Sequence, residues 1–253
     1  MNILSGLADI SAGQLLLVAV VALVASVIGG LAGSGTGALM PLVLVPLIGA
    51  EPVVPIIAIS AIFTNLSRFV AYFRYADRRR ALIVIAAAAL TTALGAYGYT
   101  RLSNAGAALV IGSMLIVSVP LRRLAKRRDV RIGDTGLAAS AVGYGVVVGG
   151  TSGSGVILLS LLMASGLEGA AVIATDAVIS IVTSLIKISV FGLAGVVTAQ
   201  VLAFALLIGV IAIPGAFLAR AFVERMPVRI HIAILDAAVI VGGLVMISAA
   251  LRH

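Results

Sequence analysis

The chain has 253 residues, of which 62% are hydrophobic and 10% charged, with no cysteine and only 2 histidines. This composition excludes disulfides and cysteine metal sites, leaves little for catalysis, and predicts an all-α integral membrane protein surrounded mostly by lipid. The formal net charge of +8 comes largely from cation clusters beside apolar spans, which is typical of cytoplasmic loops and argues against nucleic acid as a partner.

The first predicted elements are two short apolar segments, residues 15–28 and 38–48, with a glycine-rich run from Gly29 to Gly37 between them. Each segment is shorter than the roughly 20 residues that cross a bilayer as a helix. Backbone that leaves helical geometry inside lipid must be buried in protein or line a watery cavity. The sequence therefore predicts a hairpin, re-entrant or discontinuous, that turns at these glycines inside the membrane.

Longer apolar spans follow the hairpin, at residues 53–73 and 81–100, and a last apolar helix closes this half of the chain. A basic linker at residues 122–134 comes next. Short basic loops are retained on the cytoplasmic side of a membrane. We therefore expect the linker, and the arginines that follow residue 73, to lie in the cytoplasm.

The second half repeats this order of segments. A second glycine-rich run, Gly149 to Gly155, shares the pattern Gly-Gly-x-x-Gly-Ser-Gly with the first, and Leu94-Gly95-Ala96-Tyr97 corresponds to Pro214-Gly215-Ala216-Phe217. Internal symmetry of this kind is common in transporters. The predicted segments of this half are residues 136–148, 156–165, 169–191, 197–220 and 230–251, and the predicted divisions are a first repeat at 1–121, the linker at 122–134 and a second repeat at 135–253.

Loop charge predicts that the two repeats are inverted in the membrane. The span ending at residue 73 finishes beside Arg74, whereas its counterpart ending at residue 191 runs into the nearly neutral loop 192–200. An odd number of full spans in each half requires the same inversion. The two hairpins should then enter from opposite faces and meet near the midplane, with both termini outside.

The glycine runs are predicted to bind an anion. Where a helix restarts after a break, its first N–H groups lack intrahelical partners and its dipole presents about half a positive charge. The alternative is that the glycines only allow close helix packing, but two copies in equivalent positions favour binding. The predicted site residues from the two runs are Gly33, Ser34, Gly35, Thr36, Gly37, Ser152, Gly153, Ser154 and Gly155.

Two cations within predicted spans, Arg68 and Lys187, complete this site, each with a polar residue on the same helical face, Asn65 and Thr183. Charge inside a membrane usually marks a pathway or a partnered group. The alternative is that both long side chains extend to the interface. Asp176 lies on the same helical face as Lys187. We interpret it as a structural partner of Lys187 or of a hydroxyl group, in preference to a proton carrier that couples to transport.

The doubled glycine pattern, with its first copy leading to Pro41, resembles that of the TauE/SafE family of membrane exporters, and the likeness extends over nearly the whole chain. The second copy departs from the family pattern with Val156 and Ile157 in place of a third glycine, and Leu161 where proline is expected. The resemblance implies a multi-spanning inner-membrane carrier that moves small sulfur-containing anions, such as sulfite or organosulfonates, outward.

The prediction is therefore an exporter of a small sulfur-containing anion that works by alternating access, with a small anionic substrate and the lipid bilayer as partners. No catalytic residue, metal or cofactor is predicted, and a homo-oligomer is left open. The alternatives are an anion channel and a proton-coupled carrier for another small organic acid. A cation transporter would need more intramembrane acid than Asp176 alone, and a structural subunit would bind no anion.

Overall fold

The computed structural model describes residues 6–7, 10–32, 35–125, 131–223 and 228–252, with side chains except at 28–32, 122–125, 216–223 and 228–235. The long regular elements within these ranges are all α-helices, as the apolar composition predicts. A short 3₁₀ helix, Phe73–Tyr75, follows the third of them. The helices are α1 Ala12–Ala32, α2 Gly35–Ile48, α3 Val53–Tyr72, α4 Arg78–Tyr99, α5 Asn104–Ala125, α6 Asp134–Gly150, α7 Gly155–Ala164, α8 Gly169–Leu193, α9 Ala199–Val223 and α10 Val228–Ala250.

Four helical segments in the described part of the chain are long and apolar enough to cross a membrane: Val53–Tyr75, Arg78–Tyr99, Asn104–Leu121 and Gly169–Leu193. They include the predicted spans at 53–73, 81–100 and 169–191. The remaining two predicted spans fall on α9 and α10, which are 25 and 23 residues long. Large apolar side chains on the outer faces of the helices, such as Leu16, Leu90 and Val210, are exposed, as expected where the surrounding medium is lipid.

The helices pack in pairs that each join one half of the chain to the other. Helix α3 packs against α8, and α5 against α10. In the same way α1 packs along α9, and α6 along α4. Two apolar cores result, one centred on α2, α3 and α9 and one on α4, α6 and α7. Each apolar core therefore contains helices from both halves of the chain.

Helix α4 holds the ends of both short helices. Arg80, in its first turn, donates from Nη2 to the Ser165 carbonyl, just beyond α7, at 2.7 Å. At its other end Tyr99 donates from Oη to the Ala50 carbonyl, just beyond α2, at 2.7 Å. A helix of 22 residues is roughly 33 Å long at about 1.5 Å per residue. The C-terminal ends of α2 and α7 are therefore separated by about the length of α4.

Candidate functional site

The first glycine run interrupts the helix over fewer residues than predicted. Helix α1 continues through Gly29 and Gly30 to Ala32, and α2 begins at Gly35. Intrahelical hydrogen bonds are the simplest way to satisfy backbone groups at membrane depth, so the helix persists further than glycine propensity suggests. The predicted site residues Gly33 and Ser34 lie outside the described residues.

The second run behaves in the same way. Helix α6 includes Gly149 and Gly150, and α7 begins at Gly155. Between them Thr151 is extended, with φ −148° and ψ −176°, and Gly153 has a φ of +80°. A side chain is strained in that left-handed region, so the turn between α6 and α7 depends on glycine at position 153.

The two breaks contact each other directly. A Cβ placed on Gly37 would lie 3.0 Å from the backbone nitrogen of Gly153, which is tighter than side chains normally allow. Pro41 lies inside α2 and has no N–H, so the carbonyl of Gly37 loses its intrahelical donor. A Cβ on Gly153 would lie 3.4 Å from that carbonyl oxygen. Backbone from both halves therefore meets at the start of α2 and α7.

A cavity of about 120 Å³ lies at this meeting point. It has room for several water molecules or one small anion, since about 10–15 Å³ of such volume holds one water. Its lining comes from both halves of the chain and is rich in hydroxyl, amide and glycine residues. The predicted site residues that line it are Gly35, Thr36, Gly37, Asn65, Arg68, Ser152, Gly153, Ser154, Gly155, Thr183 and Lys187.

The predicted pairing of Asp176 with Lys187 is wrong. Asp176 instead forms an ion pair with Arg68 of the other half, with 3.0 Å between Oδ2 and Nη1. Helices α3 and α8 pack face to face, and this brings together charges that lie far apart in the sequence. Arg68 also donates from Nη1 to Asn65 Oδ1 at 3.1 Å. The carboxylate thus holds a cation of the cavity lining in place.

Lys187 is buried, with 5% of its surface exposed. Its Nζ donates to the carbonyl of Thr151 at 3.2 Å, beside the C-terminus of α6. Both Lys187 and Arg68 point into the protein, toward the cavity, rather than along the helix toward the interface. Extension to the membrane surface therefore does not account for either cation.

Some polar atoms around the cavity have no hydrogen-bond partner within the described part of the chain. They include Ser152 Oγ, Arg68 Nε and Asp176 Oδ1. Buried polar groups are normally satisfied, because an unpaired one costs the free energy of its lost hydration. Donors on a serine, an arginine, a lysine and the first amides of α7 together complement an oxyanion. Among the described residues no three His, Asp or Glu side chains come close enough to hold a metal.

Several lining residues were not predicted from the sequence. They include Ser26 on α1, Tyr144 on α6 and Thr151 in the second break. Thr151 lies inside the glycine run and could have been included on that ground. Ser26 and Tyr144 give no such signal, because each lies within an apolar stretch of its helix and only the packing of α1 and α6 directs it inward.

Comparison with known proteins gives one result. The family model described as Sulfite exporter TauE/SafE matches residues 18–246. No curated protein and no solved structure matches the chain significantly. The matched range covers both glycine breaks, the cavity lining and all ten helices, in whole or in large part.

Proposed function

The chain belongs to the sulfite exporter TauE/SafE family, whose members are membrane transporters and not enzymes, and we propose that it exports a small sulfur-containing anion across the inner membrane by alternating access. The observation that carries this proposal is the shared cavity: both helix restarts line it, together with the buried Lys187 and the partly buried Arg68. Its size suits an anion such as sulfite or the head group of a sulfonate.

The proposed binding groups are the free amides at the start of α7 and the side chains around them. Ser154 stands at the N-cap of α7 and makes no side-chain cap hydrogen bond. The hydroxyl of Ser152 is buried without a partner and Lys187 is a few ångströms from the same turn. Hydrogen bonds to charged groups contribute about 1.5–3 kcal/mol each, so a bound oxyanion would be held by several of them.

An inverted arrangement of the two halves is supported by the positions of α2 and α7. Their N-terminal ends approach each other through Gly37 of α2 and Gly153 just before α7, while their C-terminal ends are held at opposite ends of α4. The two helices have 14 and 10 residues, roughly 21 and 15 Å at about 1.5 Å per residue. Placed end to end they match the length of α4, as two half-helices entering from opposite faces would.

The packing contacts support the repeat division at residues 1–121, 122–134 and 135–253. A Cβ on Gly95 would collide with the carbonyl of Val146 on α6, and a Cβ on Gly215 would collide with Ser26 on α1. Gly95 and Gly215 occupy equivalent positions in the two copies, and so do Ser26 and Val146. The same contact is therefore made twice, with the two halves exchanged.

Alternating access would follow if the two halves rock against each other around this cavity. The ion pair with Arg68 favours a positioning role for Asp176 over proton coupling.

A channel would instead use the breaks as a continuous pore. Flux that saturates with substrate, and that is accelerated by substrate on the far side, distinguishes the carrier from the channel.

The test is flux of sulfite, thiosulfate and small sulfonates into liposomes containing the purified protein. Ser152→Ala should raise the half-saturating concentration about tenfold, equivalent to ~1.4 kcal/mol, because a donor to the anion is removed. Ser160→Ala is the matched control, since its Oγ donates to the Val156 carbonyl at 2.7 Å within α7 and does not line the cavity. Equal flux in the two variants would contradict the proposed site.

A further inference from the structure

The cavity contains two cations but only one of them has a carboxylate partner among the described residues. Arg68 and Asp176 are 3.0 Å apart, and their side chains are 12% and 2% exposed. Such a pair carries no net charge as seen from the cavity. Lys187 is equally buried, yet no described carboxylate lies within ion-pair distance of it; its Nζ contacts the Thr151 carbonyl.

The helix dipoles do not change this balance. The positive ends of α2 and α7 begin at the breaks, but the negative ends of α1 and α6 finish there too. A helix end carries about half a unit charge of either sign, so the two positive and two negative ends largely offset one another. The Thr151 carbonyl that Lys187 contacts directly follows the C-terminus of α6. One positive charge, that of Lys187, is left for a bound ligand to neutralise.

From this balance, and building on the function proposed above, we infer that the cavity selects singly charged oxyanions over doubly charged ones of the same shape. Lys187 supplies the charge that the ligand neutralises, and Asp176 sets the selectivity by cancelling Arg68. A single negative charge brings the buried site to neutrality. A second one would be desolvated without a partner, which is strongly unfavourable in a low-dielectric site.

Tetrahedral anions of fixed charge can separate the effect of ligand charge on binding from the effect of ligand shape. Methanesulfonate and sulfamate are monoanions, and sulfate is a dianion of nearly the same size. We expect purified wild-type protein in detergent, studied by calorimetry at constant pH and ionic strength, to bind both monoanions at least tenfold more tightly than sulfate. Sulfamate controls for the methyl group, because it replaces that group with a polar one.

Charge variants test the assignment to individual residues. Asp176→Asn releases the charge of Arg68, so the ratio of sulfate to methanesulfonate affinity should rise at least tenfold. Lys187→Met should reduce monoanion affinity at least tenfold. Arg74→Gln removes an exposed cation away from the cavity and should leave the ratio unchanged, which controls for the overall charge of the protein.

The double variant Arg68→Gln/Asp176→Asn keeps the site at one positive charge and should restore the wild-type preference for monoanions. It also serves if Asp176→Asn does not fold, since it removes both members of the ion pair and so leaves neither of them without its partner. Sulfate binding as tightly as methanesulfonate in the wild type, or the double variant preferring sulfate, would overturn the inference. Failure of all three probes to bind, together with absence of flux, would instead refute the proposed function.

Discussion

At the scale of single residues, the buried pair between Arg68 and Asp176 is the interaction that most clearly joins the two halves of the chain. Asp176 is 2% exposed, and Arg68 12%. Both charges lie largely out of bulk water, so each depends strongly on the other for stabilisation. Removing one partner costs more than removing both, because it leaves an uncompensated charge in a medium of low dielectric constant.

This dependence predicts a non-additive pair of substitutions. Asp176→Leu should lower the free energy of unfolding by about 3–5 kcal/mol, since Arg68 is left buried alone. Arg68→Met/Asp176→Leu should recover most of that loss. Unfolding in detergent, followed by circular dichroism, measures both variants. A double variant as unstable as the single one would show that the pair does not act through its charges.

Asp77 makes a second prediction at this scale, on pH dependence. It is the N-cap of α4, where Oδ1 accepts the Arg80 backbone N–H at 2.9 Å. That hydrogen bond, with the nearby Arg80 side chain, holds the pKa of Asp77 below its ordinary value of 3.8. A depressed folded pKa adds stability above the unfolded pKa, and this stability is lost as pH falls through the folded pKa. Stability should therefore decline below about pH 4.

The measurement is the midpoint of unfolding between about pH 3 and 6. Asp77→Asn keeps an acceptor for the cap but removes the ionisable group, so its unfolding midpoint should vary less with pH than that of the wild type. An identical pH profile in the two proteins would mean that Asp77 does not contribute through its charge.

At the scale of elements, the short helices α2 and α7 depend on their neighbours. An isolated helix of 10 or 14 residues is marginal at best, and α2 also contains two prolines, Pro41 and Pro46. Their C-terminal ends are fixed by side chains from outside, Tyr99 for α2 and Arg80 for α7. Because α2 and α7 are held at their C-terminal ends, their first backbone amides at the N-terminal ends remain available to the cavity.

Loss of one of these fixing contacts should be measurable. Tyr99→Phe removes the hydrogen bond to the Ala50 carbonyl and keeps the ring, which packs on Phe191 with centroids 6.1 Å apart. We expect about 0.5–1.5 kcal/mol of destabilisation. Tyr97→Phe is the matched control, because its hydroxyl meets Arg101 on the exposed surface and should cost less. Equal losses would exclude a specific role for Tyr99 in holding α2.

At the scale of the whole molecule, the main feature of the architecture is that helices of one half pack against helices of the other half. Helices α3 and α5 pack on their own counterparts, α8 and α10, while α1 with α9 mirrors α6 with α4. A chain built this way cannot form either apolar core from one half alone. The proposed movement of one group of helices against the other would preserve these paired contacts and alter the cavity between them.

The proposed inversion of the two halves predicts opposite labelling of two equivalent acids. Glu51 follows α2 and Glu168 follows α7, and both are exposed. Because the chain has no cysteine, Glu51→Cys and Glu168→Cys can each be labelled with a membrane-impermeant thiol reagent in intact cells and in inverted vesicles. Glu51→Cys should react from outside and Glu168→Cys from the cytoplasm. Labelling of both from the same side would contradict the inversion.

The sequence by itself determined the class of protein, the approximate positions of its helices and the two places where they break. These follow from local properties: apolar length, glycine content and the charges of Arg74 and the linker are all read along the chain. Eleven of its predicted site residues line the cavity, and seven of these come from the two copies of one glycine motif. Even so, it extended the breaks over Gly29 and Gly149, which the structure keeps helical because lipid penalises unpaired backbone.

Only the tertiary structure decided which charges meet. Asp176 shares a helical face with Lys187, and sequence spacing therefore favoured that pair. The packing of α3 on α8 instead brings Arg68 within 3.0 Å of Asp176 and leaves Lys187 beside Thr151. The physical reason is that a buried ion pair depends on distances of a few ångströms between helices, and such distances are set by how side chains from distant parts of the chain pack, not by the order in which they occur.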